Sequence, residues 1–379
     1  MKLTVELKDV CDVNMGQSPA SSSYNAEQRG LPFFQGNADF GDISPTVRLW
    51  CDSPTKIAHP GDLLLSVRAP IGAINIADCQ CCIGRGLAAL TAKEGICDSD
   101  WLYYALGSRV ADLQAQGTGS TFKAINKAIL LNLTLPHCTL VEQRIIASRL
   151  NKLRCVCNLR QRQLSNLDQM AKSRFVEMFG DPVMNPHGWG NASLLDFGEC
   201  KNGMNFGSNE SGISINCLGV SDFQNLSVIR NTEKLPQIHL NTPPRAEYLL
   251  QDEDIVFVRS NGNKALVGRC VAVYPGNIPT VFSGFCIRFR QHKKVAKTSY
   301  LLSVLKSPSV RKQMAGRGAN IQNLNQQILA SVKIPLPPLE LQNEFAAFVE
   351  QLDKSKVTIR KSLERLELLY KALLQEYFG

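Results

Sequence analysis

The 379-residue chain contains no run of eighteen apolar residues, which excludes a membrane-spanning helix. Its opening residues, Met1-Lys2-Leu3-Thr4-Val5-Glu6, lack the apolar core of a secretory signal. Histidine is scarce: His59, His137, His187, His239 and His292 lie far apart, none with a partner at metal-ligand or triad spacing. There is no phosphate-binding glycine loop, because Gly262-Asn263-Lys264 has neither the spacing nor the following Ser or Thr. An Asn/Asp-Pro-Pro-aromatic methyltransferase motif is also missing. Asn241-Thr242-Pro243-Pro244-Arg245 comes nearest, but it carries an insertion and no aromatic. Asp252-Glu253-Asp254 could pass for a metal-binding acidic cluster, yet its place before an apolar strand predicts a plain solvated turn. No catalytic residue is assigned, and nothing argues for catalysis by this chain alone.

Cysteine, by contrast, is plentiful. Thirteen thiols, an odd number in a chain without an export signal, predict a reducing, cytoplasmic setting. Cys79-Gln80-Cys81-Cys82 contains a CxxC spacing, but a structural zinc site needs a second pair or two suitably spaced histidines. Small residues packed in a strand-rich core are the simpler reading, so no metal is expected. Positive charge is also in excess: 42 Lys and Arg against 33 Asp and Glu give a net +9, which favours a polyanionic partner.

The dominant feature is a duplication. Adding 199 to the numbers of Leu140–Gly180 gives Leu339–Gly379, with Pro136 on Pro335, Gln143 on Gln342, Lys172 on Lys371 and Phe179-Gly180 on Phe378-Gly379. In each copy the apolar residues step by four and then three, the period of a coiled-coil seam. Ile146, Leu150, Leu153, Leu164 and Leu167 form the seam of the first copy, and Val349, Leu352, Ile359, Leu363 and Leu366 that of the second. Arg160 and Lys356 interrupt these seams near mid-helix, where single polar residues set register. Each helix should run roughly 55–60 Å at 1.5 Å per residue. A lone seam could dimerise the chain; two seams in one chain favour an internal pair.

The rest of the chain repeats around these helices. Val5–Val13, ending in Gly16-Gln17-Ser18-Pro19, reads as a strand running into a polar loop, and Leu194–Gly198 echoes it. Asp62–Arg68 is a buried strand ending on a positive charge, echoed by Asp254–Arg259. Trp101-Leu102-Tyr103 is answered by Tyr300-Leu301-Leu302, and the small-residue loop Gly117–Asn126 by Gly316–Asn325. Asp181–Gly190, rich in Pro and Gly, cannot be helical and joins the halves. Across so short a linker the second helix runs most easily back toward the first module, predicting two antiparallel helices and an approximate two-fold axis.

The chain resembles the specificity subunit of type I restriction-modification systems. The likeness rests on Pro60–Arg68, Ile83–Ala88, the Gly117–Asn126 loop, the helix start Pro136…Leu140–Ile146, and Met178–Pro182 with Asn185–Trp189. In the second half it rests on Pro335–Gln342. It covers essentially the whole chain, and the two-fold organisation carries more of it than any one string.

The resemblance implies an α+β fold with two target-recognition domains of mixed short strands and small helices. Two long antiparallel helices forming a coiled coil would separate them, in a pseudo-two-fold internal repeat. The expected divisions are a first recognition domain at 1–138, a first spacer helix at 139–180 and a linker at 181–190. A second recognition domain at 191–337 and a second spacer helix at 338–379 complete the chain. By the same resemblance this is a non-catalytic reader of a bipartite double-stranded DNA target, acting in DNA methylation and phage defence. Its helix pair would dock two methyltransferase (modification) subunits, and restriction/translocase subunits would join them. No cofactor is expected on this chain; S-adenosylmethionine, ATP and Mg belong on the partner subunits. An unrecognised nuclease or methyltransferase, or a protein-interaction scaffold, are the competing readings.

Base edges are read by Arg, Asn, Gln, Ser or Thr on loops, and phosphates by Lys, Arg or exposed backbone N–H. In the first module these criteria select Arg29, Gln35, Asn37, Arg68 and Arg85, with Thr118, Ser120, Thr121 and Lys123 on phosphate. In the second they select Arg245, Arg259, Asn261, Asn263 and Lys264, with Arg317, Asn320 and Gln322 on phosphate. For each, a solvated charge or a loop residue satisfying its own turn is the plain alternative.

Overall fold

A computed structural model of the chain describes residues 3–118, 123–207, 210–223, 226–314 and 323–379. There are two compact units, one of Met1–Arg162 with Arg360–Gly379, the other of Gln163–Ile359. The boundaries fall inside the two 40-residue helices, Leu140–Phe179 and Leu339–Phe378. Each unit therefore holds one strand-rich module and a stretch of both helices.

The first unit is organised around the strand Leu63–Ser66, which sits between Leu87–Ala92 and Ile74–Ile76 in a four-stranded antiparallel sheet. All four of its residues are buried, and their alternation divides them between two cores. Leu63 and Leu65 pack with Trp101, Leu102 and Leu106 of the helix Ser99–Ser108. Leu64 turns the other way, to Phe34, Ile83 and Leu87. There a five-stranded sheet pairs Leu31–Phe34 in parallel with Cys81–Ile83.

The second unit repeats the arrangement on Asp254–Val258. Ile255 and Phe257 pack with Tyr300 and Leu301, while Val256 and Val258 pack with Leu218 and Phe282. Ile213–Leu218 pairs in parallel with Thr280–Phe282, as its counterpart does.

Each long helix is fastened to its module by a buried glutamine. Gln143 accepts from Asp98 N at 2.8 Å and donates to Ile96 O at 3.2 Å and Cys138 O at 3.1 Å. Gln342 accepts from Lys297 N at 2.8 Å and donates to Val295 O at 3.3 Å and Pro337 O at 2.9 Å. A buried amide with its bonds made fixes geometry that an unpaired one would destabilise.

Within each unit the helices run in opposite senses. In the first, Arg149 donates to Tyr377 Oη at 2.9 Å, while Arg154 and Tyr370 both meet the Tyr104 ring, at 5.5 Å and 6.4 Å. In the second, Arg174 meets Glu344 at 2.6 Å and Asp168 meets Lys356 at 2.7 Å. Moving forward along one helix moves backward along the other in both cases. Their last turns seat on the short helices: Phe378 beside Trp101 at 6.1 Å, Phe179 beside Tyr300 at 4.8 Å. All ten seam residues named from the sequence, Ile146, Leu150, Leu153, Leu164, Leu167, Val349, Leu352, Ile359, Leu363 and Leu366, are buried or half-buried.

Two expectations are corrected. The opening strand is broken: Thr4–Glu6 and Cys11–Met15 flank a helical turn at Leu7–Val10, and Leu194–Phe197 is likewise a helical turn. In the second case Ser193 N donates to Asp196 Oδ2 at 2.6 Å and Leu195 N to Ser193 Oγ at 3.3 Å, a capping box that competes with strand pairing. The acidic turn is not plainly solvated either. Asp254 is buried and holds Arg290 through two bonds of 2.7 Å, while also accepting from Gln251 N at 2.7 Å.

Candidate nucleic-acid interface

In the first module, strand geometry delivers charge to one place. Burial continues one residue past the central strand, to Val67, and Arg68, the next residue, is exposed. Beside it, Gly84-Arg85-Gly86 turns the chain between Cys81–Ile83 and Leu87–Ala92. Leu87 N closes the turn on Gly84 O at 3.0 Å, and Val67 N donates to Gly86 O at 2.9 Å. A Cβ on Gly86 would lie 2.4 Å from the Gln35 carbonyl, so glycine is required and Arg85 carries the outward side chain. Asp39 folds the next loop by accepting from Gln35 N at 2.7 Å and Gly36 N at 3.3 Å.

The product is a cleft of about 590 Å³ lined by Gln35, Asn37, Arg68 and Arg85 together with Ser18, Tyr24 and Arg48. The sequence reading missed the last three. Arg48 joins from the loop just before a separate strand, Leu49–Cys51, and spends part of its guanidinium on Asp39 and on Ala38 O at 2.8 Å. No local pattern marks it.

The described ends of the small-residue loop, 117–118 and 123–126, are tied to this cleft. Ala124 bridges both Arg68 and Thr118, and Ala69 N donates to Lys123 O at 3.1 Å. Lys123 therefore follows the cleft rim, while the Thr118 hydroxyl donates to Ala124 O at 3.5 Å within its own loop. Ser120 and Thr121 lie outside the described residues. Arg29 is not brought to the cleft; it sits in a turn tied to Asn25 and pairs with Glu27 at 3.6 Å.

The second module departs from the first. Arg259 N donates to Phe285 O at 2.7 Å and Leu324 N to Arg259 O at 2.7 Å, as Val67 does with Gly86 and Ile125. Arg259 therefore occupies the position of Val67, and Ser260 that of Arg68. A one-residue shift sends a strand's side chain to the opposite face, and Arg259 donates inward to Gly284 O at 3.3 Å. Asn261 Oδ1 accepts from Asn263 N at 2.8 Å and Asn263 Oδ1 from Ala265 N at 3.0 Å, so both satisfy their own turns. Arg245 is a surface charge 3.9 Å from Glu247. The Lys264 side chain, Arg317, Asn320 and Gln322 lie outside the described residues.

Burial pushes the Cys11, Cys81, Cys97 and Cys200 thiols up to about 12, leaving them protonated near neutrality. Among the described residues no group of three or more His, Cys, Asp or Glu is placed to hold a metal ion, and no helix is long and apolar enough to cross a membrane.

Comparison with known proteins gives a consistent picture. The profile of the type I restriction modification DNA specificity domain matches residues 2–167 and 186–368, once in each half. A candidate type I restriction enzyme specificity subunit of Methanocaldococcus jannaschii, MjaX, is 39% identical over 158 residues. That match takes in 42% of this chain and only 37% of the relative. The StySPI specificity subunit of Salmonella potsdam is 26% identical, over 79% of this chain and 68% of its own. The crystal structure of a type I restriction-modification S subunit from M. genitalium shares the fold, covering 100% of this chain and 96% of that one at 17% identity and TM-score 0.61.

Proposed function

The chain belongs to the type I restriction modification DNA specificity family, and from that premise we propose that it is the sequence-reading, non-catalytic subunit of a DNA-modifying complex. Each module reads one part of a split double-stranded target, and the paired helices set the unread interval and dock the modification subunits. Restriction/translocase subunits complete the assembly, with S-adenosylmethionine, ATP and Mg held by the partners. The observation that carries this reading is the convergence of Arg68, Arg85, Gln35 and Asn37 on one exposed cleft. Two guanidiniums beside amide side chains offer the donors and acceptors that base edges require. The net +9 supplies the attraction to phosphate that brings the cleft to DNA.

The test is reconstitution. The purified chain, incubated with DNA, Mg²⁺ and S-adenosylmethionine, should transfer no methyl groups. Adding modification subunits should methylate one bipartite sequence in a random library, with binding that weakens as salt rises. Turnover by the chain alone, or salt-insensitive binding in the complex, would overturn the proposal.

A further inference from the structure

The turn that carries Arg85 occurs in both modules with one pattern of backbone hydrogen bonds. In the first, Gly84 N donates to Phe34 O at 2.8 Å, Leu87 N to Gly84 O at 3.0 Å and Val67 N to Gly86 O at 2.9 Å. In the second, Ser283 N donates to Leu218 O at 3.0 Å, Cys286 N to Ser283 O at 2.8 Å and Arg259 N to Phe285 O at 2.7 Å. These bonds set Gly84-Arg85-Gly86 against Ser283-Gly284-Phe285 without ambiguity of register. The last two positions of the turn are then filled in opposite order.

Sterics account for the order. A Cβ on Gly86 would sit 2.4 Å from the backbone oxygen of Gln35, which cannot swing away. Gln35 has no counterpart in the second module, where Leu218 is followed directly by Gly219-Val220-Ser221-Asp222, the equivalent of Gly36–Asp39. The space so opened admits Phe285, a residue left 61% exposed. A Cβ on Gly284 would instead meet the Asn205 amide at 2.0 Å and Met204 O at 3.4 Å. The neighbouring charge is lost as well, since Ser260 stands where the first module has Arg68.

Resting on the function proposed above, we infer that this turn determines specificity and that the two modules read different base chemistry with it. Arg85 reads guanine, whose O6 and N7 accept the paired donors of a guanidinium. Phe285 reads thymine, because a phenyl ring has no hydrogen bond to offer and the 5-methyl group is the apolar feature of the major-groove edge. Apolar area left uncommitted on a projecting turn gains free energy when a methyl group covers it.

The chain assembled with its modification subunits tests this. Once the bipartite target is mapped, each thymine of the half-site read by residues 191–337 is replaced by deoxyuridine, which removes the methyl and preserves pairing. At one position methylation should slow about fourfold, the worth of one buried methyl. Phe285→Ala should be slower on the natural target and indifferent to that replacement, while Phe285→Leu keeps part of the dependence. In the other half-site, 7-deazaguanine at one guanine should slow the wild type and leave Arg85→Ala unaffected. A second half-site with no thymine, uniform indifference of the wild type to deoxyuridine, or a Phe285→Ala protein still sensitive to it overturns the inference. So does a first half-site with no guanine. The deoxyuridine arm uses unaltered protein, so misfolding of a variant cannot obscure the result. Absence of any bipartite target would instead refute the reading subunit itself.

Discussion

Arg85 owes its position to Gly86, where a Cβ would lie 2.4 Å from the Gln35 carbonyl, so that the outward side chain falls on the residue before it. A residue so projected, and lining a cleft with Arg68, is the first to test by mutation. Arg85→Ala should cost the assembled complex about 1–3 kcal/mol in binding its own target and relax the preference at one base pair. Lys123→Ala, on the rim, should weaken binding to all sequences alike and lower the slope of affinity against salt. Fluorescence anisotropy across a salt series separates the two, and an Arg85→Ala protein of unchanged specificity would remove that residue from the reading surface. The sequence marks Arg68 as a charge ending a strand and selects Arg85 by residue type alone. Arg48 and the displacement of Arg259 were not legible in it. The first joins from the loop before a separate strand, and the second is a shift of one residue that composition does not record.

At the scale of the element, the long helices are built from local signals and adjusted by a few polar contacts. Thr139 and Glu142 open the first: Thr139 N and Oγ1 both donate to Glu142 Oε2 at 2.8 Å, and Glu142 N returns a bond to Thr139 Oγ1 at 3.3 Å. These bonds, the backbone one foremost, hold the Glu142 carboxyl below the usual range. A folded pKa lower than the unfolded one means the stabilisation is present above the ordinary value of 4.5 and is lost as pH falls through the lowered one. The urea midpoint of the wild type should therefore fall more steeply on acidification below pH ~4.5 than that of Glu142→Gln. Equal slopes would deny the cap a role.

The Lys356–Asp168 pair sits in the seam with the lysine buried and the aspartate half exposed. Removing the Asp168 charge leaves the buried ammonium with only Asp353, 3.5 Å away, so Asp168→Asn should cost about 1 kcal/mol, less than a fully buried pair would. Lys356→Met, apolar and of similar length, should leave urea stability unchanged or raise it. A large loss in the methionine variant would show that the pair itself stabilises the seam.

At the scale of the whole molecule, the proposed function makes the helices a ruler, and that is directly measurable. Inserting seven residues in each helix preserves the seam period and adds about 10 Å at 1.5 Å per residue. The unread interval should widen by about three base pairs, read by sequencing methylated sites; an unchanged interval would reject the ruler. The duplication itself, the seam period and the sense of the helix pair were legible in the sequence. Periodicity and a fixed numerical offset are properties of the chain read in order, and the linker Asp181–Gly190 leaves the returning helix little choice of direction. Tertiary structure alone decided that Asp254 is locked to Arg290, that Ser193 caps a helical turn where a strand was expected, and that Arg259 takes the place of a valine. It also decided that Arg85 and Phe285 stand on equivalent turns. Each of these depends on contacts or register between segments tens of residues apart, where one inserted residue such as Gln35 changes which side chain has room to project.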